Sequence, residues 1–110
     1  MPRILLPFLA ALVACTDVPT TSELPFVEGT ITLRTRAGFV VDGGGDCTTK
    51  ASLWIDSHTR VLRRAGQYLV AADTGQLLPG RRVQVWIGGI VLESCPPQAG
   101  ATRVVLQDGP

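Results

Sequence analysis

Short runs in which apolar and polar residues alternate, separated by glycine-rich turns, restrict the fold of this chain more than any other feature. In the clearest run, residues 27–34, apolar or small residues take the odd positions and polar residues the even ones. A period of two places successive side chains on opposite faces of a β-strand. The same alternation marks 51–55 and 82–87, and shorter β-type runs occupy 39–41, 61–62, 68–70, 90–92 and 103–106. The pattern predicts an all-β domain.

Turn signals separate these runs and suggest how the strands are arranged. The segments 42–46, 73–75 and 79–80 are rich in Asp, Gly and Pro, and Gly88-Gly89 predicts a tight turn between two strands. Helical spacing is confined to one turn around 74–78. A sheet of only a few short strands can remove its exposed edges in two ways, by curling into a barrel or by pairing with a second sheet. We therefore expect a small five- or six-stranded OB-like barrel over residues 26–108, with a small β-sandwich as the alternative.

The first fifteen residues have the pattern of an export leader. Arg3 precedes an apolar run over 4–13, and Leu12-Val13-Ala14-Cys15 has the form of a bacterial lipobox. The apolar run is too short to span a bilayer, which takes roughly 20 residues, and Pro7 interrupts it. The pattern predicts a signal peptide over 1–14 and lipidation of the Cys15 thiol.

Lipidation at Cys15 would fix where the protein resides. Each buried methylene of an acyl chain contributes about 0.8 kcal/mol, so two or three chains give stable attachment. Residues 15–25 are mostly polar and include Pro19 and Pro25, which predicts a flexible tether. Thr16, rather than an aspartate, follows the lipidated cysteine, and this favours the periplasmic side of the outer membrane in a Gram-negative cell. We expect a lipid-anchored protein of the cell envelope.

The two remaining cysteines, Cys47 and Cys95, would then face an oxidising compartment. A bridge between them would close a loop of about 48 residues and stabilise the fold by about 4 kcal/mol on the chain-entropy model. Two buried free thiols are the alternative. With His58 as the single histidine, the cysteines form no recognisable zinc spacing, so we expect no metal site.

Charge and side-chain chemistry argue against nucleic-acid binding and against catalysis. The chain has 10 Lys and Arg against 9 Asp and Glu, a balance poorly suited to a sequence-independent grip on nucleic acid. Ser52, Ser57 and Ser94 have only His58 as a possible base, and no G-x-S-x-G motif is present. The loop 42–46 lacks the further carboxylates of a calcium site. We expect neither an enzyme nor a cofactor.

Trp54 and Trp86 are the candidate binding residues, because both fall on the polar phase of their strands. Indole rings outside the core can stack against sugars or other flat groups, and Arg81 and Arg82 could add polar contacts. In the alternative interpretation, a loop or terminal segment covers the two rings, and the arginines shield a sheet edge. Three further arginines of the same kind occur at positions 60, 63 and 64.

Two stretches, Leu78–Trp86 and Gly89–Ala99, resemble the C-terminal half of an uncharacterised family of small bacterial lipoproteins. The two stretches make up about a fifth of the chain. It includes the valine-x-valine-tryptophan run at 83–86 and a glutamate-serine-x-proline run at 93–96, where Cys95 stands in the place of the family's tyrosine. The resemblance implies an OB-like barrel and an envelope location, and it supplies no activity.

These observations predict a membrane-tethered envelope lipoprotein that acts as a non-catalytic binding module. Its partner would be an envelope polysaccharide or protein held through the Trp54 and Trp86 face. The alternative is a structural or accessory subunit of an envelope complex, without a small ligand.

Overall fold

A computed structural model describes residues 24–107 and arranges them as seven strands in one sheet. The predicted all-β class is confirmed. The predicted leader 1–14, the lipidation site Cys15 and most of the tether 15–25 lie outside the described residues. Two 3-10 turns, Cys47–Thr49 and Thr74–Gln76, accompany the strands, and the second lies within the single helical turn expected at 74–78. The strands are β1 Val27–Arg34, β2 Gly38–Asp42, β3 Lys50–Trp54, β4 Arg60–Ala65, β5 Tyr68–Ala71, β6 Arg82–Leu92 and β7 Gln98–Gln107.

Five of these strands close into a ring. The sheet order is β3-β2-β1-β6-β7-β4-β5, and an additional parallel pairing of β3 with β7 joins the two ends of the β3-β2-β1-β6-β7 series. The closing pair is short and runs from Ser52 opposite Gln98 to Trp54 opposite Gly100. Closure removes the exposed edges that a five-stranded open sheet would have. This ring is the predicted small OB-like barrel.

The hairpin of β4 and β5 lies beside the ring. β4 pairs in parallel with the second half of β7, from Arg60 opposite Arg103 to Arg63 opposite Leu106. The same edge of β7 therefore pairs with two strands, with β3 along its first residues and with β4 along its last ones. The Thr59 hydroxyl donates a hydrogen bond of 2.7 Å to the Ala101 carbonyl, at the step between them.

The prediction of a tight turn at Gly88-Gly89 is wrong. β6 continues through both glycines to Leu92 as one strand, and its register against β7 shifts between Gly88 and Leu92. Gly89 has a φ of 79°, a backbone conformation that glycine adopts without strain. Paired glycines inside a strand mark an irregularity of this kind as readily as they mark a hairpin turn.

The core fills the inside of the ring, where alternation along each strand directs the apolar side chains. Leu77, just after the second 3-10 turn, is fully buried in the same core. Each strand of the ring contributes at least two side chains that are at most 8% exposed. Among them are Ile31, Phe39, Val41, Leu53, Val83, Val85, Val104 and Leu106.

The predicted pairing of Cys47 with Cys95 is confirmed, with Cα atoms 5.4 Å apart. Cys47 opens the 3-10 turn before β3, and Cys95 lies just before β7. The Ser52 amide donates a hydrogen bond of 2.9 Å to the Pro97 carbonyl beside the bridge. The disulfide therefore fastens the two parallel strands that close the ring near the point where both begin.

A cap orders the bridged segment. The Asp46 carboxylate accepts hydrogen bonds from the Thr48 amide at 2.9 Å and the Thr48 hydroxyl at 2.6 Å. These hydrogen bonds favour the ionised carboxylate and lower the pKa of Asp46 below its ordinary value. The cap thus holds the backbone that carries Cys47.

Candidate binding surface

Trp54 lies on the outer surface of the ring, as the alternation of β3 predicts. Its neighbour Leu53 is buried in the core, whereas Trp54 is 40% exposed. The indole lies against Gly100 of β7, because a Cβ atom placed on Gly100 would come within 2.7 Å of the indole nitrogen. A side chain at position 100 would push the ring away. The glycine therefore allows the indole to lie close to the neighbouring strand.

A groove of about 540 Å³ opens beside this ring. Two large aliphatic side chains from the irregular part of β6 form a wall, with Ile90 76% exposed and Leu92 49% exposed. Backbone without side chains supplies much of the remaining lining, at Gly88, Gly89 and Gly100. The groove thus combines one aromatic ring, two exposed aliphatic side chains and open peptide groups.

The polar groups of the groove lie at its rim. Asp56 accepts a hydrogen bond of 2.8 Å from the His58 amide, and its carboxylate oxygen is 3.9 Å from the His58 Nδ1 atom. Both side chains are largely exposed, at 60% for Asp56 and 89% for His58. The Thr102 hydroxyl donates to the Trp86 carbonyl at 3.2 Å and so supports the backbone beneath the groove. This arrangement suits stacking and a few hydrogen bonds to a ligand.

Trp86 also lies on the outer side of the sheet but does not line the groove. The Arg103 guanidinium carbon is 4.3 Å from the centre of its ring, within cation–π distance. One face of the Trp86 ring is therefore covered by the protein itself. Arg103 also carries a buried Nε atom that has no hydrogen-bond partner within residues 24–107.

Arg81 and Arg82 occupy different environments. Arg82 opens β6 on its exposed outer side, opposite Thr30 and Gln107. Arg81 precedes the strand and is half-buried, and its amide donates a hydrogen bond of 3.1 Å to the Leu78 carbonyl. Of the four predicted ligand-binding residues, the groove contains Trp54 alone.

Sequence reasoning missed the groove wall and the position of Arg103. The sequence pattern predicts that Ile90 and Leu92 lie in a strand that returns after a turn, whereas in the structure β6 continues without a turn and places both at the groove. Arg103 contacts Trp86 only because β6 and β7 are paired in that register. The sequence signal for the groove wall is the presence of two large apolar residues, Ile90 and Leu92, directly after two glycines.

A second groove, of about 570 Å³, lies near the disulfide. Phe26, Lys50, Glu28 and Glu93 are among its lining residues, so side chains of both charges face it. Phe26 is the one aromatic residue in that lining and is 39% exposed. This groove lacks the pairing of a broad aromatic ring with a glycine floor that distinguishes the Trp54 groove.

No protein-family model matches the chain, and no curated protein or solved structure matches it. The resemblance to small bacterial lipoproteins therefore stays a prediction. Within residues 24–107, no helix is long and apolar enough to cross a membrane. In the same part of the chain, no three His, Cys, Asp or Glu side chains are placed to hold a metal ion.

Proposed function

We propose that this protein is a lipid-anchored lipoprotein of the cell envelope that acts as a non-catalytic binding module. Its Trp54 groove holds a segment of an envelope polysaccharide. The observation that carries the proposal is the exposed indole beside Ile90 and Leu92, which leaves aromatic and aliphatic surface open to solvent. Contiguous exposed apolar surface on a small domain commonly marks a binding site.

The chemistry of the groove fits a sugar chain. A pyranose ring presents a flat apolar face that packs on an indole and equatorial hydroxyls that hydrogen-bond at its edge. The carboxylate of Asp56 and the peptide groups of Gly88 and Gly89 supply hydrogen-bonding groups around such a ring.

The envelope location is supported by the lipobox at Leu12–Cys15 and by the bond between Cys47 and Cys95. Disulfides persist in exported proteins and are rare in the reducing cytosol. With Cys15 committed to lipid, the two cysteines of the barrel have only each other as partners in the chain.

Co-sedimentation of the full chain with purified peptidoglycan sacculi tests the proposal. Trp54→Ala should weaken binding about tenfold, since loss of one stacking ring costs on the order of 1–3 kcal/mol. The matched control is Tyr68→Ala, which removes an aromatic side chain that is 74% exposed and does not line the groove. Tyr68→Ala should bind as the parent does.

A second variant in the Trp54 groove distinguishes loss of binding from loss of stability caused by removal of the indole. Ile90→Ser alters a side chain that is 76% exposed, so the thermal midpoint should hardly change while binding weakens. Equal binding by the parent, Trp54→Ala and Ile90→Ser would overturn the proposed site. Equal weakening by Tyr68→Ala would show that the contact is not specific to the groove.

A further inference from the structure

Three neighbouring strands, β6, β7 and β4, carry arginines on the outer side of the sheet. Their registers place Trp86, Arg103 and Arg60 side by side in one row. Alternation along β4 puts Arg64 on the same side as Arg60, and alternation along β6 puts Arg82 on the same side as Trp86. We name this surface the arginine face and define it by Arg60, Arg64, Arg82 and Arg103.

The arginine face has no ion pair in the described part of the chain. Within residues 24–107, none of the four guanidinium groups lies within salt-bridge distance of a carboxylate. Arg60 and Arg103 are direct partners in the register of β4 and β7. Like charges at paired positions of adjacent strands repel one another and destabilise the sheet. An oxyanion bound between the two groups would turn this repulsion into attraction.

Two of the four guanidinium groups, those of Arg103 and Arg64, have contacts that orient them. Arg103 stacks on Trp86 at 4.3 Å, and its buried Nε atom has no partner in the described part of the chain. Arg64 reaches toward β6, where its Nη2 atom is 3.5 Å from the Gln84 side-chain oxygen. Side chains oriented before binding lose less conformational freedom when a ligand arrives.

The dimensions of the face suit an extended ligand. Adjacent strands lie about 4.8 Å apart and residues rise about 3.3 Å along a strand, so the charges spread over roughly 10 by 13 Å. Guanidinium groups bind carboxylates and phosphates through paired hydrogen bonds. A surface that carries several guanidinium groups is complementary to a polymer that repeats its negative charges.

β7 connects this face to the Trp54 groove. Gly100 lies beneath the Trp54 ring, and Arg103 follows three residues later on the same strand, a distance of about 10 Å. A linear polymer along the outer side of β7 would reach both. A planar bilayer would contact the arginine face but not the floor of the groove, so the continuity favours a polymer.

We propose that the ligand is an anionic polysaccharide, whose carboxylate or phosphate groups bind the arginine face while one of its sugar rings packs on Trp54. This inference rests on the proposed function and specifies the charge of the polymer. The near-neutral balance of the whole chain is compatible with it, because the strand registers bring four of its ten basic residues together on one face. On the neighbouring strand β1, Glu28 lies opposite Gln84 at the border of this face.

The experiment measures polymer binding to the full chain anchored in phosphatidylcholine vesicles. The probes are polygalacturonate, which repeats a carboxylate, and size-matched dextran, which is neutral. Arg60→Gln combined with Arg103→Gln should weaken polygalacturonate binding about tenfold and flatten its dependence on salt. The control combines Arg36→Gln with Arg63→Gln, which removes the same charge outside the arginine face and should change binding less than about twofold.

The outcomes separate this inference from the proposed function. Equal affinity for dextran and polygalacturonate, with loss of both in Trp54→Ala, would overturn the charge inference and leave the binding module standing. Equal weakening by both arginine pairs would also overturn it, because net charge alone would then explain the effect. In Trp54→Ala, the fluorescence comes from Trp86, since the chain has two tryptophans. Shielding of this fluorescence from iodide on addition of phosphatidylglycerol, without polygalacturonate binding by the parent, would assign the face to a membrane and overturn the inference.

Discussion

Replacement of both bridged cysteines, Cys47→Ser with Cys95→Ser, should remove about 4 kcal/mol from the free energy of unfolding. The bridge spans a sequence separation of 48 residues, and the chain-entropy model assigns about this value to a loop of that length. Cys95 is exposed and Cys47 half-buried, so the serine hydroxyls meet little desolvation. Since domains of this size have stabilities of about 5–15 kcal/mol, the bridge would account for a large part of the total.

Urea unfolding followed by far-ultraviolet circular dichroism measures this loss. The midpoint should fall strongly, and the slope with denaturant should rise because the unfolded chain expands once the loop is open. The thermal midpoint should drop by roughly 15–30 °C, from about 4–8 °C per kcal/mol in a domain of this length. The parent protein in reductant should reach the same midpoint as the variant, and the variant itself should not respond to reductant. A loss below about 1 kcal/mol would refute the argument that the bridge fastens the closing pair of strands.

Two further predictions concern the barrel and its anchor. Gly38→Ala should cost about 3 kcal/mol or more in urea unfolding, because the added Cβ would overlap the backbone oxygen of Leu53 on the paired strand. Gly75→Ala, at an exposed turn with only the Asp73 side chain nearby, should change stability by less than about 1 kcal/mol, and a similar loss in both variants would contradict the steric reasoning. Mass spectrometry of the membrane fraction should find a chain that begins at Cys15 and carries acyl groups, and accumulation of the unmodified Met1 form would contradict the predicted anchor.

Alternation in the sequence was enough to predict β1, β3, the first half of β6 and the side of the sheet on which Trp54 lies. The first half of β7, which closes the ring, lies outside every predicted run. Period-two patterning is local, and burial of one face enforces it at β1, β3 and the first half of β6. The disulfide could also be predicted, since the predicted export and lipidation of Cys15 leave two cysteines.

The pattern failed at Gly88-Gly89 because a pair of glycines has two structural uses. In a short hairpin they form the turn, whereas in a coiled strand they permit a register shift and close approach by a neighbour. The choice here depends on β7, which pairs with β6 on both sides of the irregularity, and on Trp54, which lies over Gly100 beside Gly88. Neither long-range contact is visible in a local window of sequence.

The arginine face could not be predicted for a related reason. Its members at positions 60, 64, 82 and 103 are scattered along the chain and come together only through the parallel pairing of β4 with β7 and the antiparallel pairing of β6 with β7. Composition gives the opposite impression, because the total charge is close to balanced. The sequence shows how many charges are present, and the strand registers determine which of them are neighbours.

The position of β4 and β5 outside the closed ring has an evolutionary consequence. Contact between β3 and β7 stops at Trp54 and Gly100, and the hairpin attaches only beyond that point. Insertions or deletions in the turn between β4 and β5 can therefore accumulate while the five-stranded ring stays closed, whereas Val61 and Leu77 hold the segments on either side in the core. Related chains could differ in this hairpin, which carries half of the arginine face, while they keep the same five-stranded ring.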